Sequence, residues 1–156
     1  MISKKKGIVT TMVKIISIFG YLAYFLLALS MRSTAMAEMG NQEENAGLFA
    51  RKFGIDLEIP ELEFLCLILA VYAVIAAVAL LIKLSHAALG SGFCGALNML
   101  FDLLFCVIHG IILYCFATKE LSATSGACAY MVALFVVSLI ALFSNGASLS
   151  SPSAKK

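Results

Sequence analysis

The sequence predicts an all-α membrane protein, a bundle of four transmembrane helices with both termini in the cytosol. Three observations carry this expectation. Hydrophobic residues make up 62% of the 156-residue chain and charged residues 13%, with a mean hydropathy of +1.03; soluble domains lie nearer half apolar and a quarter charged. The apolar residues fall into four runs, each near the ~20 residues a helix needs to cross ~30 Å of hydrocarbon. The basic residues gather beside one set of run ends. Lipid gives backbone groups no partners, so runs of this kind are helices.

The first span is expected at 8–29, after a cytosolic segment 1–7 that carries Lys4, Lys5 and Lys6. Those lysines also suit a signal peptide, and MRSTAMAEMG beyond the run offers small residues for cleavage. The apolar stretch exceeds the roughly 7–15 residues of a signal core, which favours an uncleaved helix. An outer loop at 30–61 follows, then spans at 62–84, 96–117 and 125–143. A cytosolic loop at 85–95 and an outer loop at 118–124 join them. Residues 144–156 form a small, polar tail expected to be disordered.

Orientation follows from loop charge. Lys83 and His86 close the second span, and Lys155 and Lys156 close the chain. The loop 30–61 holds Arg32, Arg51 and Lys52 against Glu38, Glu43, Glu44, Asp56, Glu58 and Glu61. The positive-inside rule therefore puts the N-terminus, 85–95 and the C-terminus in the cytosol and the acidic loop outside. Within that loop, residues 45–53 can form a short amphipathic turn that sets Leu48 and Phe49 beside Phe53. Pro60 suits the first turn of the second helix, where its missing N–H costs nothing.

Two charges lie well inside the spans, Lys14 and Asp102. Both sit about six residues from the cytosolic start of helices that run the same way, ~9 Å into the inner leaflet. A charge in hydrocarbon costs at least a few kcal/mol and usually finds a partner. A Lys14–Asp102 ion pair between the first and third helices is therefore expected; the alternative is that Lys14 snorkels to the headgroups. Asn98, Asp102, Cys106 and His109 follow in steps of four, four and three, forming one polar seam on the third helix. That seam can serve as an ion or proton path, or simply as hydrogen-bonding glue between packed helices.

Other chemistry finds little footing. The cysteines at 66, 94, 106, 115 and 128 form no CxxC, which argues against a zinc site or a disulfide framework. Cys94, at a cytosolic edge, is a candidate for palmitoylation. His86 and His109 differ too much in depth for a bis-histidine haem. No nucleophile–base pair, phosphate-binding loop or metal cluster is visible, so neither an enzyme nor a cofactor is expected. The small net charge of +2 gives nucleic acid no footprint.

The residues Ile59, Pro60, Leu62 and Phe64, with Tyr72 further along a small and aromatic helix, carry a resemblance. The chain resembles the Casparian strip membrane domain protein-like (CASP-like) family of plants, within the wider MARVEL-like tetraspan group. That family has a Leu-Pro-x-Leu-x-Phe stretch before its second helix, a basic residue in helix one, where Lys14 replaces the usual arginine, and an aspartate in helix three, where Asp102 stands. The outer loop lacks a clear copy of the segment that marks true Casparian strip members, so the likeness is to the broader group. The resemblance implies a non-enzymatic, multi-pass plasma-membrane scaffold that forms homo- and hetero-oligomers with related tetraspans and organises a membrane domain. The rival reading is a small transporter or channel subunit using Asn98, Asp102 and His109. A membrane enzyme of the small glutathione-transferase type would want a polar cytosolic loop after helix one, where this chain places its outer loop.

Overall fold

A computed structural model describes residues 2–89, 92–118 and 125–149. The described chain is helical: α1 (Ile2–Gly40), α2 (Gln42–Asn45), α3 (Leu48–Phe53), α4 (Ile59–Leu89), α5 (Gly92–Ala117) and α6 (Ser125–Leu149). Four of these helices are long and apolar enough to cross a membrane, over Thr11–Gly40, Ile59–Leu89, Gly92–Cys115 and Gly126–Ser144. The all-α, multi-pass architecture is therefore as the composition demands. α1 packs on α4, α4 on α5, α5 on α6, and α6 back on α1, closing a ring of antiparallel neighbours in which the α1–α4 contact is the most extensive. α1 and α5 start at one end, here the basic end; α2 and α3 cover the other, the loop end.

Lipid explains why the outside of the bundle is apolar. Phe19, Phe64, Leu67, Leu81, Leu100 and Phe143 are all exposed, and in hydrocarbon such a surface carries no cost. With no water to expel between helices, small residues and close packing do the joining. Ala73 and Ala76 on α4, like Ala28 and Ala35 on α1, are buried for that reason. Gly20 lets α1 approach α6 closely, since a Cβ there would collide with the Val137 side chain.

The helices outrun the apolar runs. α1 continues past Leu29 to Gly40, and α4 past Leu84 to Leu89. α6 reaches Leu149, so residues 144–149, expected in a disordered tail, are helical. Hydropathy marks where a helix is greasy, not where its hydrogen bonding stops. Of the expected outer loop 118–124, only Thr118 is among the described residues; the rest, like residues 90–91 and 150–156, lies outside them.

The long loop is folded onto the bundle. α3 lies between Gly47 (φ 68°) and Gly54 (φ 72°), left-handed positions that residues with a Cβ resist. Its first free N–H groups find their acceptor on another helix: Gly47 N–H and Phe49 N–H donate to the two Glu38 carboxylate oxygens at 2.8 and 2.7 Å. Phe49 is buried and meets Phe53 at 5.0 Å between ring centroids. Phe49 also joins Ile55, Met31, Ala35 and Leu62 in an apolar cluster that seals the loop end. Lys52 Nζ donates to Thr34 Oγ1 at 3.0 Å. Glu58 N–H donates to Glu61 at 2.8 Å, half of a capping box at the start of α4.

Glu38 is thus the clamp between loop and bundle. Replacing it by alanine leaves two enclosed N–H groups without a charged acceptor, at a cost of about 1.5–3 kcal/mol per bond to a charged group. Hydrogen exchange should then speed up at the Gly47 and Phe49 amides while the α4 and α5 amides stay protected.

Candidate functional site

Every long helix sends polar side chains into the centre of the bundle, where they form two clusters. In the first, near the basic end, Lys83 of α4 reaches Asp102 Oδ1 at 2.5 Å and Asn98 Oδ1 at 2.8 Å, both on α5. Tyr21 O–H of α1 donates to the same Asp102 oxygen at 2.7 Å. The Lys83 ammonium also stands 4.3 Å from the Tyr21 ring centroid, a cation–π contact. Asp102 is fully buried and Lys83 is 4% exposed.

The ion pair differs from the one expected. Asp102 is matched by Lys83, not by Lys14, which is exposed on α1 and lines a crevice at the basic end. The reason lies in the α4–α5 hairpin. Antiparallel neighbours bring together residues at similar distances from their join: Lys83 stands six residues before the end of α4 at Leu89, Asn98 six after the start of α5 at Gly92, and Asp102 about one helical turn further on. A span ended at residue 84 puts Lys83 at the headgroups; the helix runs on to Leu89, which carries Lys83 inside. The helical overrun was the missed signal.

The second cluster lies deeper. Ser138 Oγ of α6 lies 3.1 Å from the Leu134 carbonyl and 2.8 Å from His109 Nδ1. His109 Nε2 lies 2.7 Å from the Tyr72 hydroxyl, so each ring nitrogen has one hydroxyl partner, and one nitrogen donates while the other accepts in either tautomer of the neutral ring. Tyr24 O–H, at 2.9 Å from Ser138 Oγ and 3.0 Å from the Leu134 oxygen, completes the set. Residues from α1, α4, α5 and α6 all take part.

Of the expected seam, Asn98, Asp102 and His109 do face the interior, while Cys106 is half-buried at its flank. Phe105 holds the central place instead and is fully buried. At ~100° per residue, seven steps bring Phe105 within about 20° of Asn98, whereas eight steps carry Cys106 about 80° away. The Phe105 ring sits 4.9 Å from Tyr21, 5.5 Å from Tyr24, 5.3 Å from Tyr72 and 5.8 Å from His109 by centroids. It lies between the two clusters as their apolar divider.

The chain matches no family model, and comparison with curated proteins and solved structures finds no relative. A cavity of about 460 Å³ runs from the loop end to Tyr72 and His109, walled by residues such as Leu27, Met31, Leu69 and Ile112. A crevice of about 20 Å³ opens at the basic end beside Lys83 and Asn98. Among the described residues, no three His, Cys, Asp or Glu side chains gather as a metal would require.

The charge pair sets a sharp expectation for mutants. Lys83→Met strands Asp102 in a dry interior and should cost about 3–5 kcal/mol, and Lys83→Met with Asp102→Leu should recover most of that. Lys14→Met should change stability by no more than about 0.5 kcal/mol. Thermal unfolding in detergent compares the three, and equal losses from Lys14→Met and Lys83→Met would refute the assignment.

Proposed function

We propose that this chain is a non-enzymatic tetraspan scaffold of the plasma membrane, CASP-like in kind, that associates with itself and with related tetraspans. Its basic end faces the cytosol, where Lys4, Lys5 and Lys6 meet the positive-inside rule. The observation that carries the reading is how the buried polar groups are used. Lys83, Asp102 and Tyr21 are hydrogen-bonded to one another across three helices, and Tyr24, Tyr72, His109 and Ser138 across all four. A catalytic or transport site keeps polar groups poised for a substrate; these hold helices in register. The resemblance supports the same reading through the helix-three acid, although here that acid is matched from α4.

The folded loop supports it further. A loop end held by Glu38, Lys52 and buried Phe49 presents a shaped surface rather than a flexible linker. Such a surface suits lateral or facing contact with other membrane proteins.

A transporter is the second reading, favoured by the cavities that reach the two clusters from opposite ends. Phe105 weighs against it, placing an apolar ring where a proton relay would want an exchangeable group.

Single-molecule bleaching of the tagged chain in cells should show multi-step traces, and a population of single steps alone would overturn the scaffold reading. Flux across vesicles holding wild type or Asp102→Asn separates the rival. The scaffold reading expects no substrate-dependent flux from either, whereas flux lost only in Asp102→Asn with folding intact would establish transport.

A further inference from the structure

Of the three buried side-chain polar atoms without a hydrogen-bond partner among the described residues, Arg32 Nε lies toward the loop end and the other two line the crevice at the basic end. Ser17 Oγ of α1 and His86 Nδ1 of α4 make no hydrogen bond, and Ser17 is 7% exposed. A buried polar atom left in this way is costly and calls for a ligand. Both residues line the crevice, together with Lys14, Lys83, Asn98 and Ser144.

The donor balance says which ligand. Six polar side chains line the crevice and none is acidic. Asn98 gives its oxygen to Lys83, which leaves its amide N–H₂ to donate. Lys83 is neutralised by Asp102, so the exposed Lys14 contributes one uncompensated positive charge. Hydroxyl, amide and ammonium donors around a net positive charge, with an imidazole whose Nδ1 donates in one of its tautomers, suit an oxyanion. At about 20 Å³ the crevice admits one oxygen-sized group, with the remainder of the anion in the mouth beside Lys14. Gly95 of α5 helps to shape it: a Cβ there would come within 3.2 Å of His86 Cε1, so glycine lets the ring lie against the helix.

We propose that this crevice binds a phosphate-type oxyanion, one oxygen seated among Ser17, His86 and Lys14. The source is either the headgroup of an anionic phospholipid or free phosphate. The site stands whether or not the chain acts as a scaffold, since it rests on the crevice, its two orphaned polar atoms and Lys14.

The test is native mass spectrometry of the full chain released from micelles holding equal amounts of phosphatidate and phosphatidylcholine. Wild type should retain phosphatidate in preference. Lys14→Gln with Ser17→Ala should lower that retention roughly tenfold or more, as loss of hydrogen bonds to a charged group requires. Arg51→Gln, an equal loss of charge at the loop end, should leave it unchanged. Thermal unfolding of each variant checks that the bundle is intact; Lys14 is exposed, so Lys14→Gln alone keeps the test valid if the double variant fails to fold. Bound inorganic phosphate that displaces the lipid identifies the free ion as ligand, and retention despite excess phosphate identifies the headgroup. No preference over phosphatidylcholine, or equal retention by wild type and the crevice variants, would overturn the site and leave a bridging water as its occupant.

Discussion

Asp102 is a carboxylate with no exposure to solvent, inside a bundle whose outer wall is hydrocarbon-facing. A single ion so placed costs several kcal/mol unless its charge and its lone pairs are met. That requirement organises the molecule. It recruits Lys83 from α4 and Tyr21 from α1, and Lys83 in turn draws Asn98 into place. Three of the four long helices are thereby locked in relative height and rotation before any apolar packing is considered. In a membrane this matters more than in water, because the hydrophobic effect does not distinguish one greasy helix face from another.

The deeper cluster extends the same logic to α6. Ser138 bonds both the Leu134 carbonyl and His109, and His109 carries the chain of hydrogen bonds on to Tyr72 of α4. Phe105 and the tyrosine rings then fill the space between the two clusters, with edge-to-face contacts at about the spacing aromatic pairs prefer. Polar bonds choose the register and aromatic rings fill it. A core made this way is specific in a setting where leucine against leucine would be permissive.

Outside the core, the two ends behave differently. At the loop end Glu38 takes the N–H groups that α3 cannot satisfy itself, and Phe49 and Ile55 pack on the apolar cluster beside the cavity that reaches Tyr72 and His109. The basic end is open and retains donors without partners around Lys14.

Composition and periodicity alone determined that the chain is helical, crosses the membrane four times and buries Asn98, Asp102 and His109. Those features depend on hydropathy and on the 3.6-residue repeat, which are local. The amphipathic turn near Phe49 was legible for the same reason, since it needs only neighbouring residues and two flanking glycines. The partner of Asp102 was not legible. It depends on how far α4 continues beyond its greasy stretch and on which helix lies across from α5, and neither is a property of a local window. Choosing between Lys14 and Lys83 required the α4–α5 hairpin itself, because two lysines of equal charge differ only in where the fold delivers them. The displacement of Cys106 by Phe105, the capture of α3 by Glu38 and the orphaned donors at Ser17 and His86 were likewise decided by tertiary structure. Each rests on the meeting of residues far apart in the chain, and only packing brings them together.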